Sequence, residues 1–151
     1  MSRKEASMAF PKDAMFKIVT SFHRAVFDVS KGKLLGKASG MPVVKLTTIG
    51  RKSGQRRQTM LTSPLVEGDN LVLVASKGGD ERNPAWFGNL VANPDVDIVM
   101  SGSTRKMRAR VTEGDERTRL WEALTTEHAN YAGYQRKTQR QIPVVLLEPR
   151  S

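Results

Sequence analysis

A chain of 151 residues and 16.8 kDa is the size of one domain, and 38% hydrophobic against 26% charged residues is enough apolar material for a packed core rather than a disordered chain. There is no cysteine, which excludes disulfides, thiolate nucleophiles and Cys-ligated zinc; with His23 and His128 as the only imidazoles, no metal site is expected. Lys and Arg total 25 against 15 acidic residues, a formal charge of +10 and a pI near 10.3, so the surface favours an anion: nucleic acid, anionic lipid or a polyanionic small molecule.

The N-terminus has a basic start but no continuous apolar segment of a secretory signal, and no run of about 18 apolar residues suggests a membrane span. A cytoplasmic protein is the default expectation. Residues 13–29 place Met15, Ile18, Val19, Phe22, Ala25, Val26 and Val29 at helical spacing. This amphipathic helix, decorated by Lys17, His23 and Arg24, is expected to pack on the domain, with adsorption to a membrane surface as the alternative.

Residues 42–48 are short and rich in β-branched side chains, as a strand requires, and end at the turn Gly50 to Gly54. A second strand is expected over residues 57–65, a hairpin turn over 67–70 and a third strand over 71–75. After a glycine loop, Asn83 is expected to cap a helix with Pro84 at its first position, ended by Asn93 and Pro94. Residues 95–100 and 104–111 read as a hairpin, with Met107, Ala109 and Val111 inward and Lys106, Arg108 and Arg110 in solvent. An acid-rich helix start at 112–116 leads to Leu120, Trp121 and Leu124; a shorter segment, 130–140, carries Tyr131 and Tyr134; residues 142–148 close the fold, with Pro143 at the strand start or on an edge. About six mainly antiparallel strands with flanking helices and no strand–helix–strand repeat favour an α+β fold or barrel over a doubly wound sheet.

The stretch from Gly50 to Arg57 carries four cations and no acid on a glycine-bracketed turn, a pattern suited to phosphate or carboxylate oxygens, although a solvated basic turn explains it equally. Ser76, Lys77, Gly78 and Gly79 end a strand just before a helix, where a serine and a lysine suit a ring carbonyl and a phosphate. Trp86 and Phe87 either cover a planar ring or fill the core. Tyr131 and Tyr134 suit a site that must protonate a reduced product, or simply pack the last helix, and His128 is close to them in sequence. No Gly-x-Ser-x-Gly, His-Glu-x-x-His, dinucleotide or Walker-type motif is present, a quiet record that a site whose cofactor carries the chemistry would also leave.

Three motifs in order, Leu46-Thr47-Thr48-Ile49-Gly50-Arg51-Lys52-Ser53-Gly54-Gln55, Val74-Ala75-Ser76-Lys77-Gly78-Gly79, and Asn83-Pro84-Ala85-Trp86-Phe87 with Asn89 and Ala92-Asn93-Pro94, resemble the deazaflavin-dependent nitroreductase family of actinobacteria. The resemblance runs from about Val43 to Pro149 and includes the tyrosine pair. It implies a split β-barrel related to flavin-mononucleotide oxidoreductases, over residues 41–151, with residues 1–40 as a helical segment on or near the active site, in a single domain overall. It implies coenzyme F420 as cofactor and hydride transfer to an electron-poor acceptor: a quinone, an activated alkene or a nitroaromatic. By motif position, Arg51, Lys52, Ser53 and Arg57, followed by Gln58 and Thr59, correspond to the anion-binding stretch. Val74, Ala75, Ser76 and Lys77 would run along the deazaflavin, with Ala85, Trp86, Phe87 and Asn89 flanking it, and Tyr131, Ser76 and Tyr134 are the candidate catalytic residues. The chain departs from the nitro-drug-activating pattern at Thr59-Met60-Leu61-Thr62 and at His128. The expected partners are a small-molecule acceptor, without nucleic acid, for a monomer or homodimer that could touch a membrane surface through the N-terminal helix; the alternatives are the same barrel with flavin mononucleotide and a basic nucleic-acid-binding module, whose affinity would fall steeply with salt.

Overall fold

The computed structural model describes residues 37–38 and 40–151. The helix expected over residues 13–29, with His23 and any membrane contact through it, lies outside the described residues. Within them the order is β1 (Lys37–Ala38), β2 (Met41–Ile49), β3 (Arg56–Thr62), β4 (Leu65–Glu67), β5 (Asn70–Val74), a 3-10 turn (Lys77–Gly79), α1 (Ala85–Ala92), β6 (Asp95–Met100), β7 (Ser103–Val111), α2 (Gly114–Glu127), α3 (Asn130–Arg136) and β8 (Val144–Pro149). The two strands beyond the six expected, β1 and β4, are two and three residues long.

All strand pairs are antiparallel, in the order β1-β2-β6-β7-β8-β5-β4 with β3 added to β2. Because β3 and β6 both register with the stretch from Val44 to Thr47, they occupy opposite edges of β2. The sheet curls into a half-barrel. Val44 and Leu46 of β2, Ile98 of β6 and Met107 of β7 face its inside, where Trp86 and Leu90 of α1 plug the cavity.

Strands β5 and β8 are covered on both faces. Leu71, Leu73, Val145 and Leu147 enter the barrel core, while Val72, Val144 and Leu146 meet Leu120 and Leu124 of α2 and Tyr131 of α3. Their unbroken apolar sequence follows from this, since a strand with only one covered face alternates. Each fully buried leucine here contributes about 1.5–3 kcal/mol. No helix among the described residues is long and apolar enough to cross a membrane.

Several expectations are corrected. The strand expected over residues 57–65 breaks at Ser63-Pro64: proline cannot donate to the ladder, and the Ser63 hydroxyl turns inward to the Val72 carbonyl at 2.8 Å and the Leu65 carbonyl at 3.1 Å. Asn83 does not cap α1. The helix starts at Ala85 behind an extended Pro84, with no side-chain cap, because the Asn83 Oδ1 accepts from Arg140 Nη1 at 2.7 Å instead. Val111, expected inward, is exposed. Arg108 and Arg110 are exposed as expected, but paired: Arg108 with Asp95, and Arg110 with Glu116 and Glu148.

Candidate active site

The β2–β3 turn is latched to α1. The Arg51 backbone N–H donates to Asn89 Oδ1 at 3.1 Å, and Arg51 Nη1 donates to the same oxygen at 2.9 Å and to the Ala85 carbonyl at 3.2 Å. Asn89 Nδ2 in turn donates to Thr48 Oγ1 at 3.2 Å. Asn89 is buried, so its amide has little water to compete with these bonds. Gly88 makes the arrangement sterically feasible: a Cβ there would sit 2.9 Å from the Arg51 Cζ and Nη1. Beyond it, Lys52 is exposed, and Ser53 Oγ accepts from the Gln55 N–H at 3.1 Å and from Arg57 Nη2 at 3.3 Å. Among the described residues, Arg51 and Arg57 thus bond neutral oxygens, leaving their charge uncompensated by a carboxylate, whereas Arg56 pairs with Asp97 at 3.3 Å.

At the end of β5 the backbone turns through three successive positive φ angles, 46° at Lys77, 64° at Gly78 and 89° at Gly79. Lys77 is the strained member, since a left-handed non-glycine costs about 1–2 kcal/mol. Gly79 is required where it lies, because a Cβ would approach the Tyr134 carbonyl to 2.8 Å. Ser76, which precedes the turn, is 8% exposed. Its carbonyl accepts from the Gly79 N–H at 2.9 Å and from Arg140 Nη2 at 2.9 Å.

Helix α3 lies over this turn. Tyr131 is 6% exposed, and its hydroxyl donates to the Met41 Sδ at 3.7 Å. Tyr134 meets its ring edge to face, centroids 5.8 Å apart, and carries Lys137 Nζ 5.9 Å above its own centroid. Burial raises the Tyr131 pKa above 10.0, against a hydrogen bond with Thr62 that lowers it, while Tyr134 raises it further. The phenol is therefore a proton-bearing donor at neutral pH. His128 ends α2 half-buried, its backbone N–H on the Leu124 carbonyl.

Of the residues singled out from sequence, Arg51, Ala85 and Asn89 are in direct contact, as are Ser53 with Arg57 and Tyr131 with Tyr134. Trp86, 7% exposed, belongs to the barrel-core cluster, and Phe87 packs half-buried on the same cluster. Ala75 is fully buried, and Val74 packs under α2 and α3. Strand alternation puts Gln58 on the face opposite Arg57 and Thr59, whose neighbour Leu61 packs on the barrel core. Arg140 was missed. It reaches back across the fold to four oxygens of the Ser76–Asn83 loop, and nothing local in the sequence marks such a contact.

The residues present fit a planar cofactor bearing a phosphate and carboxylates. The cation-bearing turn is anchored by its own backbone, Gly50 N–H to the Gln55 carbonyl at 2.7 Å and Gly54 N–H to the Gly50 carbonyl at 2.8 Å, so Arg51, Lys52 and Arg57 are presented from a fixed frame. No cluster of potential metal ligands occurs among the described residues.

The family model for F420H(2)-dependent quinone reductase matches residues 17–149. The F420H(2)-dependent quinone reductase Rv1261c of Mycobacterium tuberculosis is 39% identical over 132 residues, 85% of this chain and 88% of the relative. The putative F420H(2)-dependent quinone reductase Rv3178 of the same organism is 37% identical over 113 residues, covering 73% and 92%. Among solved structures, an F420-H2 dependent reductase superposes with a TM-score of 0.65 at 40% identity over 71% of this chain and 94% of its own, and a domain-swapped dimer with 0.66 at 35% over 83% and 98%. A haem storage protein of Vibrio cholerae, at 15% identity and a TM-score of 0.52, shares the fold alone. The half-barrel, its α1 plug and these likenesses agree, and the chain belongs to the F420H(2)-dependent quinone reductase family of oxidoreductases, with coenzyme F420 as its cofactor.

Proposed function

We infer that this chain binds reduced F420 along the β2–β3 turn, α1 and the Ser76–Gly79 segment, and reduces a quinone-class acceptor beside the Tyr131–Tyr134 pair. The observation that carries this reading is the Arg51 guanidinium, laid against Gly88 and fixed by Asn89, at the head of a turn that also presents Lys52 and Arg57. A pre-fixed guanidinium loses less entropy on binding an oxyanion than a mobile one does, and its fork matches phosphate and carboxylate geometry.

Bound F420H2 supplies the hydride; the protein's own residues bind, orient and protonate. Arg51, Lys52, Ser53 and Arg57 take the anionic tail, and Ser76 and Lys77 lie along the ring. Tyr131 donates to the acceptor oxygen. Of its present partners, the Met41 thioether sulfur at 3.7 Å is a weak acceptor that a carbonyl oxygen would replace with gain, and the raised pKa keeps the proton on the phenol until it is needed. Activated alkenes and nitroaromatics present the same electron-poor character and belong to the same acceptor screen. A homodimer is part of the reading, since one relative forms a domain-swapped dimer.

The test is an anaerobic titration with oxidised and reduced F420, with flavin mononucleotide and duplex DNA in parallel at two salt concentrations. Saturable F420 binding that weakens in an Arg51→Ala/Arg57→Ala variant supports the reading; absent F420 binding, or tighter flavin or DNA binding, overturns it. Single-turnover reduction by Tyr131→Phe then tests the donor: an unchanged rate removes Tyr131 from proton transfer.

A further inference from the structure

Arg140 lies between α3 and β8, and its side chain runs back to the loop that leaves β5. Nε donates to the Asp80 carbonyl at 2.9 Å, Nη1 to Asn83 Oδ1 at 2.7 Å, and Nη2 to the Ser76 carbonyl at 2.9 Å and the Arg82 carbonyl at 3.2 Å. Three nitrogens of one planar group thus grip the loop at both ends, around the three left-handed residues Lys77, Gly78 and Gly79.

The backbone of Arg140 is itself held by the tyrosine helix. Gln135, one residue beyond Tyr134, donates from Nε2 to the Arg140 carbonyl at 2.7 Å and accepts the Ile142 N–H on Oε1 at 2.9 Å. A continuous chain of hydrogen bonds therefore runs from α3 through Gln135 and Arg140 to Ser76. On the assignment proposed above, its two ends are the acceptor-side donor and the cofactor-side serine.

We propose that Arg140 is a positioning residue for hydride transfer: it holds the Ser76–Asn83 loop in register with the tyrosine-bearing helix, so that cofactor ring and acceptor meet at a fixed offset. The proposal rests on the F420 site assigned above. A strained turn keeps its conformation only when its surroundings over-determine it, and here the Arg140 guanidinium adds four bonds to the turn's own Gly79 N–H to Ser76 and Asp80 N–H to Lys77 bonds. Without that grip the Ser76 carbonyl keeps only the Gly79 N–H and the loop loses its side-chain tie to the backbone that Gln135 holds, and small misplacements at a reacting centre cost rate steeply. Lysine replaces the fork with a single point of attachment and does not restore the geometry.

The experiment compares wild type, Arg140→Lys, Arg140→Ala and Asn83→Ala in the full chain. It measures F420 affinity by fluorescence, kcat at saturating F420H2 with a quinone, and the denaturation midpoint. Arg110→Ala serves as control, an arginine with as many bonds but on the Glu116–Glu148 side of the sheet. The expected result is a Kd for F420 raised on the order of tenfold and a lowered kcat in both Arg140 variants, with a smaller change of the same sign in Asn83→Ala. Arg110→Ala lowers the midpoint and leaves Kd and kcat alone. Should Arg140→Ala fail to fold, the lysine and Asn83→Ala variants give the same comparison. Wild-type Kd and kcat in the variants that fold would overturn the proposal alone, as would losses that merely track the midpoint. Absence of F420 binding by the wild type would overturn the cofactor assignment and this proposal with it.

Discussion

Asn89 Oδ1 accepts two hydrogen bonds from Arg51, one from its backbone and one from its guanidinium, so a single buried amide fixes both where the β2–β3 turn sits and where its first cation points. Asn89→Ala leaves the Arg51 N–H and Thr48 Oγ1 without this partner. The expected loss is about 1–3 kcal/mol of stability, seen as a lower urea midpoint with unchanged slope, together with weaker F420 binding by titration.

Gly88→Ala separates the two effects. Alanine is the better helix former by about 0.5–1 kcal/mol, but its Cβ lies 2.9 Å from the Arg51 Cζ and displaces that flexible side chain. The protein should therefore melt at or near the wild-type temperature while its F420 affinity falls. Unchanged affinity would show that the resting position of Arg51 is irrelevant to binding.

Burial raises the Tyr131 pKa above the 10.0 of an open chain. The sign follows from linkage: the stability gained by keeping this phenol neutral is fully present below pH 10 and is lost as pH rises through the folded-state value, because the unfolded chain ionises first. Thermal melts of wild type and Tyr131→Phe from pH 7 to pH 11 should show a gap in stability that changes only above about pH 10. A gap that varies between pH 7 and pH 9 would contradict the assignment of burial as the dominant cause.

At Arg110 the guanidinium hydrogen bonds to Glu116, at 2.7 Å and 3.1 Å, hold that carboxyl below its usual 4.5. A depressed carboxyl pKa gives stability above about pH 4.5 that is lost on acidification. Both groups are substantially exposed, so Glu116→Gln should cost only about 0.5–1 kcal/mol at pH 7. The cost should shrink at pH 3 and in 1 M salt, measured by denaturation under the three conditions.

Local patterns carried much of the fold. The β6–β7 hairpin shows period-two alternation around Ser101-Gly102, and α2 places Leu120 and Leu124 one turn apart, so both were legible. The break at Ser63-Pro64 was not, because it depends on a hydroxyl reaching the Val72 carbonyl on another strand. The missed cap at Asn83 has the same origin: Arg140, 57 positions away, takes the oxygen that local propensity assigned to α1. In the site, the cation-rich turn was visible as composition, whereas the latch that orients Arg51 spans 38 positions to Asn89 and left no local trace. For Trp86 the sequence allowed both a ring-covering and a core role, and the residue lies in the barrel-core cluster.

The placement of β8 between β7 and β5 bears on how the chain acquires its shape. Until Val144–Pro149 inserts, the strands before it form two separate pieces, β1 to β3 with β6 and β7, and the β4–β5 hairpin, joined in the sheet by no other pairing among the described residues. Its partners Leu73↔Val145 and Ala109↔Leu147 are remote in the chain, so closure must overcome loop entropy before any contact rewards it. Docking of β8 is thus expected to come late in folding. Amide protons of β5 and β8, sealed on both faces once it occurs, should be among the last in the molecule to exchange with solvent.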